Sequence, residues 1–258
     1  MNLLLNNSIV VVTGGAKGIG LATVHSFYQE GAIVYMLDID KKAGIVAASN
    51  YSERVHFIHC DLTNEAEVKT AFETIEKAQH KLDILVNNSA IFKFASVLNT
   101  TESMLDALFA VNIKSYYFCA KYAIPILQKS NDAVIVNLSS GVAFQYQPNM
   151  SAYAMTKTAI LGFTRSLAVD YGPWLRAVTI CPGATLTPSL QVDIDKREGI
   201  EKEKFINDTA SISILNRLGK AEEIADFIVY ISSPKASFCN GHEYRVDGGV
   251  GIKMEGAK

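Results

Sequence analysis

Short apolar runs alternate along this chain with longer stretches in which apolar positions recur at helical spacing. The apolar runs predict buried strands at about 9–13, 33–37, 55–59, 84–86, 133–138, 178–180 and 243–246. The stretches between them predict helices at about 18–30, 64–80, 101–129, 153–171 and 221–231. Apolar strands separated by helices are typical of a parallel sheet covered on both faces. The pattern therefore predicts a doubly wound α/β fold of about seven strands, with a ligand crevice at the carboxyl ends of the strands.

The chain shows no internal repeat and no linker rich in Pro, Gly or Ser, so we expect one domain over residues 1–258. Lys and Arg total 24 against 26 Asp and Glu, and this balance argues against binding to a nucleic-acid backbone. No apolar run approaches the ~18 residues needed to span a bilayer, and no secretory signal is visible. We expect a soluble, cytoplasmic protein without a nucleic-acid or membrane partner.

Cysteine and histidine positions do not predict a metal site. Cys60, Cys119, Cys181 and Cys239 are far apart and are expected to be buried thiols of a reducing compartment. The histidines flanking the third strand, at 56 and 59, have no further ligand at useful spacing.

The first strand is followed by a glycine-rich turn that opens a helix, and the second strand ends in an acid. Glycines allow close approach of backbone to phosphate, and the helix N-terminus offers free N–H groups to a pyrophosphate. Asp38, 18 residues after Gly20, can accept hydrogen bonds from both hydroxyls of an adenine ribose and would repel a 2′-phosphate. Lys17 is a mild argument for NADP, because a cation in the turn could bind that phosphate. The balance favours NAD.

The predicted chemical site combines a tyrosine and a lysine on one helix. Tyr153 and Lys157 are four residues apart and share a face, and a nearby ammonium lowers the pKa of a phenol. Ser140 follows the fifth strand, where its hydroxyl can reach a ligand carbonyl. Asn112 lies inside a predicted helix, although Asn is a poor helix former.

These features together resemble the single-domain short-chain dehydrogenase/reductase family. The resemblance runs from about residue 5 to 250 and is specific because many weak motifs occur in one order. They are Thr13-Gly14-Gly15-Ala16-Lys17-Gly18-Ile19-Gly20, Cys60-Asp61-Leu62, Asn87-Asn88-Ser89-Ala90, Asn112, Asn137-Leu138-Ser139-Ser140, Tyr153-Ala154-Met155-Thr156-Lys157, Cys181-Pro182-Gly183, Arg217-Leu218-Gly219 and Val246-Asp247-Gly248-Gly249.

The resemblance implies a Rossmann sheet, an NAD(P)-dependent oxidoreductase and a role for each matched residue. Tyr153 would be the general acid/base, Ser140 would hold the substrate oxygen, and Lys157 would lower the tyrosine pKa and bind the nicotinamide ribose. Asn112 would hold a water that links Lys157 to solvent. The implied cofactor contacts are Gly14, Lys17, Gly18, Ile19, Gly20, Asp38, Ile39, Asp61, Leu62, Asn88, Ala90, Tyr153, Lys157, Pro182, Gly183, Thr185 and Thr187.

The chain departs from the family pattern at two places. Ser89-Ala90 stands where the family usually has Ala-Gly, and the methyl group of Ala90 could shift the fit of the cofactor. Thr185 replaces a usual aliphatic residue, with little expected effect.

Three functions remain open from the sequence. The leading one is an NAD-dependent oxidoreductase that acts on a secondary alcohol or ketone, such as a sugar, polyol, cyclic alcohol or hydroxysteroid. The others are an NADP-dependent carbonyl or 3-oxoacyl reductase and a catalytically silent nucleotide sensor on the same fold. The intact set of Asn112, Ser140, Tyr153 and Lys157 favours an enzyme.

The resemblance places a substrate lid at about 187–215, a polar segment without a clear helical period, and Ser140, Gln145, Tyr146 and Tyr153 are expected to line the substrate site. The charged lid and Gln145 favour a sugar or polyol, whereas Phe92, Phe94 and Tyr146 favour a ring or steroid-like substrate.

Assembly is predicted from the helix at 101–129. Its apolar residues cover more than one stripe, so one face is expected to pack on the sheet and another on a partner chain. The resemblance implies a homotetramer, with this helix and the Tyr153 helix in one interface.

Overall fold

The computed structural model describes residues 2–51 and 53–252, and within them seven strands form one parallel sheet. Two further strands, β7 (Thr185–Leu186) and β8 (Gly219–Lys220), pair separately. The strands of the main sheet are β1 (Ile9–Thr13), β2 (Ile33–Asp38), β3 (Val55–His59), β4 (Ile84–Asn87), β5 (Ala133–Leu138), β6 (Leu175–Pro182) and β9 (Glu243–Val246). Their order across the sheet is β3-β2-β1-β4-β5-β6-β9, so the predicted doubly wound fold is confirmed.

The order in which the chain adds strands to the sheet changes direction at the boundary between β1 and β4. Strands β2 and β3 extend from β1 on one side, and β4, β5, β6 and β9 extend on the other. Strands β1, β4 and β5 are buried at every position, which is why Val, Ile and Leu predominate in them. The carboxyl ends of all these parallel strands lie at one edge, and the switch point opens a crevice there.

Helices cover both faces of the sheet. One apolar cluster packs Val24 and Phe27 of the first helix and Ile228 of the last helix against the strands, and a second cluster lies on the opposite face. The helices are α1 (Gly18–Gln29), α2 (Lys41–Ala48), α3 (Glu65–Gln79), α4 (Glu102–Phe109), α5 (Ser115–Leu127), α6 (Ser151–Tyr171), α7 (Pro188–Asp195), α8 (Gly199–Ser211) and α9 (Ala221–Ser232). Along the described chain, none of them is long and apolar enough to cross a membrane.

The helix predicted at 101–129 is divided in the structure. Helices α4 and α5 are joined by a π-helical turn, Ala110–Lys114, with buried Asn112 at its centre. A π turn inserts one extra residue into a helix and often marks a functional position. The side-chain hydrogen bonds of Asn112, described below, give the physical reason for the interruption.

Two other helical regions differ from the sequence prediction. Helix α2 was not predicted, because it is short and buries only Gly44 and Ala47. The segment expected to be irregular at 187–215 contains α7 and α8, and α8 buries no residue, so no apolar stripe marked it.

Candidate active site

The glycine-rich turn between β1 and α1 is held by side chains from β1 and from the end of β4. The amide of Asn88 donates to the carbonyl groups of Thr13 and Gly14 at 2.9 and 3.1 Å. Gly14 has a φ of +62°, which favours glycine. A Cβ on Gly20 would lie 2.0 Å from the carbonyl oxygen of Gly14, so α1 begins in direct contact with the turn. Within the described residues, no side chain caps the N-terminus of α1, and such free N–H groups can bind an anion.

Asp38 at the end of β2 is oriented toward this turn by two backbone N–H groups. Its Oδ2 accepts from Ala16 at 3.0 Å, and its Oδ1 accepts from Asp40 at 2.9 Å. Lys17, the argument for NADP in the sequence, lies 2.6 Å from the carboxylate of Asp40. The side-chain hydrogen bond from Lys17 is the main reason why the pKa of Asp40 lies below its usual value. The local charges of Lys17 and Asp40 are thus paired with each other.

The other residues matched to the cofactor lie at the same edge of the sheet. Asp61 and Leu62 follow β3, Asn88 and Ala90 follow β4, and the 182–187 segment begins at the end of β6. Asp61 accepts from the backbone and hydroxyl of Thr63, which fixes its carboxylate. Thr187 caps α7 through the N–H of Leu190, while Ile39 is largely exposed beside Asp38. Parallel strands bring these dispersed segments together.

The proposed reacting groups come from β5 and α6. Ser140 follows β5, and Tyr153 and Lys157 lie on the first turns of α6 with their side chains near each other. The ring of Tyr153 is half-buried, and burial raises the pKa of its hydroxyl to about 12, while a hydrogen bond with Ser140 acts in the opposite direction. Burial outweighs the hydrogen bond with Ser140, so the net shift of the Tyr153 pKa is upward.

Lys157 is turned toward the end of β5. Its Nζ donates to the carbonyl of Leu138 at 3.0 Å and lies 5.7 Å from the ring centre of Tyr116. The hydroxyl of Tyr116 donates to the same carbonyl at 3.0 Å. Burial lowers the pKa of Lys157 to about 7, because removal from water disfavours the charged ammonium. Its charge at neutral pH is consequently sensitive to small changes around it.

Asn112 joins three segments through its side-chain amide. The oxygen accepts from the N–H of Ile91 at 2.9 Å, and the nitrogen donates to the carbonyl of Ile91 at 3.0 Å. The nitrogen also donates to the hydroxyl of Thr156 at 3.1 Å, and Thr156 donates to the carbonyl of Tyr153 at 2.8 Å. The amide thus links the loop after β4 to α6, beside the reacting residues.

The residues predicted to line the substrate site lie in different surroundings. The side chain of Gln145 packs against Gly251, where an added Cβ would be 0.9 Å from the amide nitrogen. Tyr146 is exposed and lines a depression of about 740 Å³ along α6 with Met150 and Met155. The ring of Phe92 contacts that of Tyr153 directly.

Comparisons with known proteins agree with this fold. A family model described as enoyl-(acyl carrier protein) reductase matches residues 14–251. Cyclopentanol dehydrogenase of Comamonas sp. (strain NCIMB 9872) is 32% identical over 249 residues, which cover 95% of this chain and 97% of that protein. The ligand-free structure of Thermoplasma acidophilum aldohexose dehydrogenase has a TM-score of 0.91 at 32% identity and covers 98% of each chain. A 3-ketoacyl-(acyl-carrier-protein) reductase from Brucella melitensis, complexed with NADH, has a TM-score of 0.87 at 26% identity over 95% of this chain and 98% of that one.

The chain belongs to the short-chain dehydrogenase/reductase family. It is an oxidoreductase, and its relatives include an alcohol dehydrogenase and a keto reductase.

Several residues that organise this short-chain dehydrogenase/reductase site were not singled out from the sequence. The hydroxyl of Thr13 accepts from the N–H groups of Asn88 and Ser89 at 2.9 and 3.2 Å. Thr156 and Tyr116 support Tyr153 and Lys157 as described above. A polar residue inside an apolar strand, such as Thr13, was a usable signal, whereas the role of Tyr116 depends on contacts between distant elements.

The departure from the family at Ser89-Ala90 leaves the turn intact. Ser89 keeps its backbone hydrogen bond to Thr13, and Ala90 is exposed. Throughout 2–51 and 53–252, no group of three or more His, Cys, Asp and Glu side chains could hold a metal ion.

The burial of Lys157 predicts a pH-dependent stability. Its pKa is about 7 in the folded chain against an ordinary value of 10.5. Between these values the unfolded chain holds a proton that the folded chain has lost, so the free energy of unfolding rises with pH. We expect this contribution to increase by about 2 kcal/mol from pH 7 to pH 9. Chemical denaturation of the parent and of Lys157→Met, which lacks the amine, measures it by difference. Parallel pH curves for the two proteins would contradict the prediction.

Proposed function

We propose that the protein transfers a hydride between NAD(H) and a secondary alcohol or its ketone, with Tyr153 as the proton donor and acceptor. The observation that carries the proposal is the convergence of Ser140, Tyr153 and Lys157 at the carboxyl edge of the sheet, next to the glycine-rich turn. The name of the Comamonas relative, cyclopentanol dehydrogenase, supports an alcohol as substrate. NAD, when bound, supplies the hydride acceptor.

Each reacting side chain has a distinct role in this proposal. In alcohol oxidation, the proton of the substrate hydroxyl passes to the phenolate oxygen of Tyr153 as the C–H bond is broken. Ser140 donates a hydrogen bond to the same substrate oxygen and holds it beside Tyr153. Lys157 in its ammonium form stabilises the phenolate when its Nζ turns from Leu138 toward Tyr153. In ketone reduction, the neutral phenol returns the proton, and its raised pKa favours that protonated form.

Asn112 supports this chemistry by position. Both N–H groups of its side-chain amide already donate, to Ile91 and to Thr156, so we assign the proposed relay water to the backbone of the π turn. We assign the cofactor contacts to the matched residues that follow β1, β2, β3, β4 and β6, from Gly14 to Thr187. Helices α7 and α8 form the substrate lid of one catalytic domain, and the free thiols fit a cytoplasmic location.

The base assignment predicts the effect of Tyr153→Phe. The change keeps the ring and removes the exchangeable proton, so we expect turnover to fall by about 10²-fold or more. Binding of reduced nicotinamide, followed by fluorescence, should change little. Lys157→Ala should weaken both turnover and binding. Tyr230→Phe, at an exposed tyrosine of α9, is the matched control and should leave turnover unchanged. Retention of most activity by Tyr153→Phe would exclude the proposed mechanism.

The preference for NAD is argued from charge. A ribose with two hydroxyls can donate to the carboxylate of Asp38, which the Ala16 and Asp40 N–H groups hold in place. A 2′-phosphate there would lie beside Asp38, and Lys17, the cation of the glycine-rich turn, is already paired with Asp40. The same segment continues into exposed Lys41 and Lys42, which soften the repulsion.

We therefore expect catalytic efficiency to be at least about tenfold higher with NAD than with NADP. Asp38→Ala should reduce this ratio by weakening NAD and relieving the repulsion of NADP. Asp40→Asn keeps a capping oxygen for α2 and releases Lys17, so it should raise the efficiency with NADP. The measurement is the ratio of kcat/KM for the two cofactors with one substrate. Equal kcat/KM values with the two cofactors in the parent protein would favour the NADP-dependent reductase instead.

A homotetramer is proposed from exposed apolar side chains on α5 and α6. Tyr117 of α5 and Met155 and Val169 of α6 are 58%, 49% and 81% exposed in the isolated chain. Large apolar side chains on adjacent helices are typical of an interface between subunits. Light scattering at micromolar concentration should give about four times the chain mass of 28.1 kDa. A monomer under these conditions would exclude the assembly.

A further inference from the structure

The wall beside Tyr153 is aromatic. The ring of Phe92 meets the ring of Tyr153 edge to face, with 4.9 Å between centres and an angle of 87°. Phe94 meets Phe92 in the same manner at 4.3 Å and is 55% exposed, so a continuous aromatic surface extends from Tyr153 to solvent. These rings offer C–H and π surface and no hydrogen bonds. A substrate bound by Tyr153 therefore places part of its carbon framework against an apolar wall.

The loop that carries this wall is anchored on both sides. Before Phe92, the backbone N–H and carbonyl of Ile91 are both bonded to the amide of Asn112. After Phe94, the N–H of Ala95 donates to the carbonyl of Asn149 at 2.8 Å. Asn112 is completely buried, so its two bonds are shielded from water. The aromatic wall is thus formed before a substrate arrives, which is the condition for selectivity.

Several charged side chains of the lid are already paired and are not free to bind the hydroxyl groups of a polyol. Its cations near the junction of α7 and α8 are engaged within the lid itself. The contacts are Lys196 to Asp193 at 2.6 Å, Lys202 to Asp195 at 2.9 Å, and Arg197 over the ring of Phe205 at 3.8 Å. Aliphatic side chains of the same region, Leu186 and Val192, are 46% and 57% exposed. The composition of the lid suggested a sugar, but these three cations are already engaged, which weakens that argument.

The polar side chain of Gln145 also has a structural role. Gln145 follows Ser140, and its amide packs against the backbone of Gly251 in the segment after β9. Phe144, the residue before it, packs on a small apolar cluster of Ala143, Leu161 and Cys181. The segment after Ser140 is therefore tied to neighbouring packing.

We infer that Phe92 is the residue that determines specificity, and that the substrate is a secondary alcohol, or its ketone, in an apolar ring. This inference rests on the proposed hydride transfer. The C–H bonds of such a ring pack against Phe92 while its single oxygen meets Ser140 and Tyr153. Each extra hydroxyl of a polyol would lose its hydrogen bonds to water and find no replacement at this wall, which would lower the affinity roughly tenfold.

The test compares cyclohexanol with 1,3,5-cyclohexanetriol, which has the same ring and two more hydroxyls. With NAD+, we expect kcat/KM of the parent to be at least about tenfold higher for cyclohexanol. Phe92→Gln should lower this ratio about tenfold, mainly through KM for cyclohexanol, whereas Phe92→Leu keeps an apolar wall and should retain it within about threefold. Phe238→Gln, at a fully exposed phenylalanine, is the matched control and should leave the ratio unchanged.

Three results would overturn the inference and leave the proposed function in place. The first is equal kcat/KM for the two alcohols, and the second is turnover of sugars or polyols but not of cyclohexanol. The third is an equal loss of kcat for both alcohols in Phe92→Gln, which would show that Phe92 only supports Tyr153. Absence of turnover with every alcohol, sugar and hydroxysteroid, in the presence of measurable NADH binding, would overturn the proposed function together with the inference.

Discussion

One buried amide connects the separate parts of the active site. Asn112 bonds both backbone groups of Ile91 on one side and Thr156 on the other, and so joins the loop after β4 to helix α6. A regular helix from α4 to α5 would carry Asn112 at a different height and rotation. The π turn provides the register at which its amide can make all three bonds. The loss of helical regularity is compensated by the order that it gives to the aromatic wall and to Tyr153.

Burial and charge pairing together set the chemistry of this site. Burial favours the neutral forms of Tyr153 and Lys157. It raises the pKa of Tyr153 to about 12 and lowers the pKa of Lys157 to about 7. A small change in the position of Lys157 therefore decides whether an ammonium stands near the phenol. At the glycine-rich turn, Lys17 is paired with Asp40, whereas the carboxylate of Asp38 is held by backbone N–H groups. Both effects are local, and both depend on side chains that the sheet brings into contact.

Much of the architecture was predictable because it follows from local patterns. Apolar runs and helical periods indicated every strand of the main sheet and helices α1, α3, α6 and α9 close to their observed bounds. Helix α8 has no buried face, so its sequence lacks the period by which helices are recognised. The division between α4 and α5 was also missed, since apolar residues continue across it and the interruption arises from bonds to distant segments.

The sequence by itself determined the fold class, the family and the residue types at the reacting positions, because these depend on periodicity and on motifs of short range. The tertiary structure decided which of these groups meet and with what charge. It turned Lys157 toward Leu138, paired Lys17 with Asp40, and placed Phe92 against Tyr153. Such contacts join residues that are far apart in the chain or whose side chains could adopt several directions. Their outcome is set by packing and by the loss of water, which a linear pattern does not contain.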